Sequence, residues 1–309
     1  MDLVWFKDLE RLSKTGNFSQ AAEMSNVSQP AFSRRIRALE AWVGTDLVVR
    51  KHHPVVLTTA GEQMLEASQQ ALKRLENERN QILEAQALPD KYITHFGAQH
   101  SIGWRFFPAW LQAFEDAYGP IISRLRADDL QNCMQALYEA EIDFVIGYES
   151  VYTKDQPQSR RTESLSIGSD RLVPVCRPDR DRKPMFNFDD PASPAVPWLR
   201  FGQSAPITQH IDPLIESSRL RDKLSVVYEN TMAGALRIRA RDGTGVAWLP
   251  QSLVAPDIEA GFLVQTGKAD WCIDLDIRLF RNKEHTNRFT RDIWAYLTNR
   301  QSVPLVGTV

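Results

Sequence analysis

Apolar residues recur at helical spacing at Trp5, Phe6, Leu9 and Leu12 and the pattern stops at Gly16 and Asn17, which predicts an amphipathic first helix. Residues 18–24 read as a second short helix, Ser25, Asn26 and Val27 as a turn, and Ser28 as the N-cap of a third helix. Pro30 falls in that helix's first turn, where the missing N–H is harmless. Phe32, Ile36, Leu39 and Val43 mark its inward face, leaving Gln29, Ser33, Arg34 and Arg37 largely off it. Two short helices joined by a tight turn form a helix-turn-helix pattern. The β-prone runs at 47–50 and 55–58 flank Lys51, His52, His53 and Pro54, a hairpin that predicts a wing beside the helices.

From 59 to about 88 no proline interrupts the chain, and Leu65, Leu72, Leu75 and Ile82 fall in an alternating three/four frame that predicts a long connecting and dimerising helix. After Leu88, Pro89 and Asp90 the pattern changes to strands alternating with helices. Strand at 92–98, helix at 102–118, strand at 121–126, helix at 129–140 and strand at 143–147 imply a parallel sheet with crossover helices. Further strands are expected at 171–176, 196–201, 224–229, 245–248 and 273–280, with helices at 231–241 and 287–297. The stretch 178–197 is rich in proline and reads as loop.

A chain of 309 residues at about 150 per domain divides into two or three domains. The net charge of −2 does not by itself point to nucleic acid. Between Ser28 and His53, however, Arg34, Arg35, Arg37, Arg50 and Lys51 stand against Glu40 and Asp46, a local charge of +3. No apolar run approaches the ~18 residues of a membrane span and no secretory leader is evident, so a cytoplasmic protein without membrane partners is expected. The cysteines at 133, 176 and 272 show no ligand spacing, which fits a reducing compartment and no disulfide framework. No phosphate loop, HExxH, GxSxG or GxGxxG is present and the histidines lack metal-ligand spacing, so neither an enzyme nor a cofactor is expected.

The ordered runs Gly16-Asn17-Phe18-Ser19-Gln20-Ala21-Ala22, Val27-Ser28-Gln29-Pro30-Ala31-Phe32-Ser33-Arg34-Arg35-Ile36-Arg37-Ala38-Leu39-Glu40 and Leu57-Thr58-Thr59-Ala60-Gly61 closely resemble the LysR-type transcriptional regulators. The resemblance implies an α/β protein with an N-terminal winged helix-turn-helix over 1–58, a linker and dimerisation helix over 59–89, and a two-lobed effector domain over 90–309 like those of periplasmic solute-binding proteins. Lobe I takes about 90–164 and 266–309, and lobe II about 165–265. It also implies a homo-oligomer, commonly a dimer of dimers, that binds double-stranded DNA at an interrupted palindrome and answers to a small effector. RNA polymerase is a further candidate partner.

A recognition helix brings its N-terminal residues to base edges in the major groove, which nominates Gln29, Pro30, Ser33 and Arg34. Arg37, Arg50, Lys51 and His53 are expected at phosphates or the minor groove, Arg35 can point either way, and Glu40 is expected to serve the helical domain itself. In a two-lobed domain, ligands bind outside the carboxyl ends of the strands. Gln99, His100, Ser101 and Ile102 then face Phe201, Gln203, Ser204, Thr231 and Met232, with Tyr148 as a third wall. Helix N-termini there favour an anionic effector. Oxidation of a cysteine or of Met232 is the alternative signal; a solute-binding protein or an enzyme using the cleft are the alternative classes.

Overall fold

The computed structural model describes residues 2–51, 54–87, 93–154, 160–189, 195–218, 220–284 and 287–299. The chain divides into two compact units, residues 1–86 and 87–309.

In the first unit, α1 (Leu3–Thr15), α2 (Phe18–Met24) and α3 (Gln29–Val43) pack around Leu9, Leu12, Phe32, Ile36 and Leu39, all of them buried. Local chemistry sets their ends. The Asp2 carboxylate accepts from the Val4 N–H, Gly16 closes α1 at φ 58°, and Asn17 Oδ1 accepts from the N–H groups of Ser19 and Gln20. Ser28 holds the N-cap position of α3 but its hydroxyl makes no capping bond. Strands β1 (Val48–Val49) and β2 (Val56–Leu57) pair antiparallel as the wing hairpin.

Helix α4 (Thr59–Ala87) has 29 residues, roughly 43 Å at 1.5 Å per residue. Its apolar frame has two destinations. Leu65 and Leu72, with Met64, pack on the core of the first unit, whereas Leu75, Ile82 and Leu83 are exposed.

The second unit opens with β3 (Ile93–Ala98), a π-helical turn at Ile102–Phe106 that runs into α5 (Phe107–Tyr118), β4 (Ile122–Ala127), α6 (Leu130–Tyr138) and β5 (Phe144–Glu149). It continues through β6 (Thr162–Cys176), β7 (Val196–Phe201), α7 (Thr208–Glu216), β8 (Leu224–Asn230), α8 (Ala233–Arg241) and β9 (Ala247–Pro250). It closes with α9 (Gln251–Glu259), β10 (Val264–Gln265), β11 (Ile273–Asn282) and α10 (Arg288–Asn299). The main sheet runs β10-β6-β11-β5-β3-β4, with β9 also on β6, while β7 and β8 form a parallel pair joined to the rest by a bridge from Trp198 to Val246.

Strand β3 pairs in parallel with both β4 and β5, as the crossover helices require. The antiparallel ladder of β6 and β11 carries the chain across both lobes, and its register shifts between Ile277 and Arg278, opposite Gly168 and Ser166. Gly168 is needed there because a Cβ would come within 2.5 Å of the Phe106 ring. The expected strand at 171–176 is therefore the end of a longer element. Helices α7 and α9 fall where the sequence pattern assigned no element: each carries an interior proline, Pro213 and Pro256, which reads as a helix breaker in sequence and is outweighed here by the burial of Ile211, Ile215, Leu253 and Val254.

Candidate DNA interface and ligand cavity

The N-terminal turns of α3 present Gln29, Pro30 and Arg34 to solvent, with Ser33 half-buried beside them and Arg37 exposed one turn on. None of the Gln29, Arg34 and Arg37 side chains has a polar partner among the described residues. Helical periodicity explains the split, since Phe32, Ile36 and Leu39 take the inward face. Lys51 is exposed in the wing; His53 lies outside the described residues.

Two arginines of the same basic run are spent internally. Arg35 pairs with Asp8 at 3.3 Å; that fully buried carboxylate also accepts from Arg11 and from the Ser25 hydroxyl, tying α1 to α3 and to the turn. Arg50, expected at phosphate, is ion-paired to the buried Glu40, whose Oε1 accepts from the N–H groups of Leu47 and Val48. Its guanidinium also sits 6.0 Å from the Phe18 ring centroid. Arg50 thus fixes the wing to α3. Asp8 was missed in sequence because an acid on an amphipathic helix ordinarily reads as solvated.

In the second unit a cavity of about 120 Å³ lies between the lobes, lined by Gln99, His100, Ser101, Trp104 and Asp129 on one side and by Phe201, Thr231, Met232 and Leu253 among others on the facing side. Six expected residues therefore meet in one place: Gln99, His100, Ser101, Phe201, Thr231 and Met232. Four do not. Ile102 is fully buried, with its side chain packed in the core of the second unit. Gln203 and Ser204 are exposed on the loop before α7, where Ala205, Pro206 and Ile207 turn inward instead. Tyr148 is buried beneath the cavity, and burial, helped by nearby Asp170, pushes its phenol well above its ordinary pKa.

Below the cavity a polar network joins the lobes. The Tyr148 hydroxyl donates to Asp170 Oδ2 on β6 at 3.1 Å, and the Ser252 hydroxyl, at the start of α9, donates to the same oxygen at 2.6 Å. The Ser252 N–H donates to Asp170 Oδ1 at 3.1 Å, and Arg105 Nε donates to the Ser252 carbonyl at 3.1 Å. Gln99 Oε1 accepts from the Tyr148 N–H at 3.0 Å, so that oxygen is occupied. No Lys or Arg is among the described residues that line the cavity, and its formally charged side chain is the Asp129 carboxylate.

Residues 3–62 match the family model for the bacterial regulatory helix-turn-helix protein, lysR family, and residues 94–302 match the LysR substrate binding domain. The chain belongs to the LysR family of transcriptional regulators. The regulator is 27% identical to the HTH-type transcriptional regulator YjiE of Escherichia coli K12 over 98% of this chain and 96% of that protein. It is similar to the crystal structure of Vibrio fischeri DarR in complex with DNA, with TM-score 0.60 and 27% identity over 97% of this chain and 99% of that one. Full-length HypT from Salmonella typhimurium, described as a hypochlorite-specific LysR-type transcriptional regulator, gives TM-score 0.58 and 26% identity over 98% of each chain.

This LysR-type regulator is a DNA-binding protein with an effector domain, and its family is one of regulators and not of enzymes. The enzyme and transport-protein alternatives fall with that. Its cysteines make poor oxidant sensors: burial raises the thiol of Cys133 to about 11 and those of Cys176 and Cys272 above their ordinary value, so the reactive thiolate is scarce. Among the described residues no group of His, Cys, Asp and Glu could hold a metal. No helix among them is long and apolar enough to cross a membrane.

Proposed function

We propose that the exposed N-terminal turns of α3 read an operator in the major groove through Gln29, Pro30, Ser33 and Arg34, while Arg37, Lys51 and His53 hold the phosphate backbone. The observation that carries this reading is that Gln29, Arg34 and Arg37 face solvent without an intramolecular partner while their neighbours Arg35 and Arg50 are consumed internally. Gln suits adenine and Arg suits guanine, each worth roughly 1–3 kcal/mol of discrimination. The regulator acts in the cytoplasm as a homo-oligomer paired through α4, a dimer of dimers, with RNA polymerase as its downstream partner.

A small effector held in the cavity between the lobes changes their closure about the β6–β11 crossing and so the spacing of the DNA-binding elements. Fluorescence anisotropy with DNA from upstream of its own gene tests the first half. Competitor-resistant binding that is lost in both Gln29→Ala and Arg34→Ala is expected; binding equal to that of random DNA overturns it.

A second reading is favoured by one residue. Met232 is 57% exposed on the cavity wall, and the chain is similar to a hypochlorite-specific regulator over nearly its whole length. Oxidation of the Met232 thioether to a sulfoxide, with hypochlorite as oxygen donor and chloride as product, converts an apolar wall into a polar one. Intact mass and operator binding that hypochlorite leaves unchanged would dismiss it.

A further inference from the structure

We infer that the cavity between the lobes selects a small organic ammonium ion, with the positive head on Asp129 and beside Trp104. The inference rests on reading that cavity as the effector seat, and it revises the anion expected from the helix N-termini.

Asp129 stands in the cavity wall at the N-cap position of α6, yet its side chain makes no capping bond and has no other partner among the described residues. The Asp129 carboxylate is therefore left with no intramolecular cation facing it among those residues, and it gives that part of the cavity wall a negative charge. The cations nearby do not offset that charge. Arg126 is engaged by Asp128 at 2.9 Å and by Glu141 at 3.2 Å, and Arg105 is turned to the Ser252 carbonyl.

Polar groups of the wall are partly spent as well. The Met232 N–H, at the start of α8, already donates to Asn230 Oδ1 at 2.8 Å, and Gln99 Oε1 is taken by the Tyr148 N–H. His100, also on the wall, is exposed to solvent. Trp104, 60% exposed on the same wall, offers a π face, the surface that favours an ammonium group.

Size and polarity define the rest of the ligand. The cavity of about 120 Å³ is near the ~150 Å³ that takes benzene in an engineered protein, so it holds roughly six non-hydrogen atoms. Phe201, Ala205, Ile207, Met232 and Leu253 give it an apolar interior, which calls for a short hydrocarbon body behind the charged head.

The test is calorimetric titration of the full-length protein with three probes of one skeleton, 3-methylbutylamine, 3-methylbutanol and 3-methylbutanoate, each at millimolar concentration, with wild type and Asp129→Asn. The amine is expected to bind about tenfold or more tighter than the alcohol, as a charge-assisted hydrogen bond implies. The butanoate should give no heat, and Asp129→Asn should erase the preference for the amine. Retained secondary structure by circular dichroism establishes that the variant is folded. Butanoate binding as well as the amine, or amine binding that Asp129→Asn leaves intact, overturns the cationic assignment while leaving the cavity as the effector seat. No heat from any probe overturns both.

Discussion

His210 Nδ1 lies 2.8 Å from the Ser150 hydroxyl, so that a fully buried imidazole on α7 of lobe II is joined to the end of β5 in lobe I. Its Nε2 has no partner among the described residues, and burial holds the ring's pKa down at about 4. The histidine is therefore neutral in the folded protein. Because its folded pKa lies below the unfolded value near 6.5, its contribution to stability is full above that value, falls as pH drops through the interval, and is lost below about 4. The loss amounts to about 3 kcal/mol. Chemical denaturation of wild type and His210→Gln between pH 7 and pH 4 should show a steeper acid loss in wild type; parallel curves would sink the assignment.

Glu40 organises the wing from inside α3, accepting two backbone N–H groups and the Arg50 guanidinium. Glu40→Ala leaves these donors unpaired and is expected to destabilise the first unit by about 3 kcal/mol. Thermal unfolding of a fragment is unnecessary, since urea denaturation of the whole protein resolves the loss. A variant as stable as wild type would show that the wing is fixed by other contacts.

The apolar frame of α4 predicts two different phenotypes. Leu72→Asp puts a charge against the core of the first unit and should unfold it, whereas Leu75→Asp with Ile82→Asp alters exposed positions and should weaken self-association with the fold kept. Sedimentation velocity alongside circular dichroism distinguishes them. An unchanged mass in the double variant would remove α4 from the oligomer interface.

Asp170 gathers Tyr148 and Ser252 where β6 crosses between the lobes. Asp170→Asn removes the negative charge that helps raise the Tyr148 phenol, so that pKa should fall toward its ordinary value while burial keeps it elevated. Ultraviolet difference titration of the tyrosines, with Tyr148→Phe to assign the signal, checks this. No shift would mean that burial alone sets the phenol.

The helix-turn-helix, its wing, the long α4 and the alternation of strands and helices were legible in the sequence because each follows from local rules, apolar periodicity and a glycine stop at Gly16, whereas the side-chain caps fell at Asp2 and Asn17 and not at the expected Ser28. The solvent-facing set Gln29, Pro30 and Arg34 followed from the same periodicity. What no local rule could supply was pairing at a distance. That Arg50 belongs to Glu40 and Arg35 to Asp8, that Leu72 packs on the core while Leu75 is exposed, and that Asp129 and Met232 line one cavity depends on how separate elements pack. A charged or apolar side chain reads alike in sequence whether its partner is water or a residue far along the chain. Only the tertiary structure fixes which surface each one meets, and with it the sign of charge that the cavity presents.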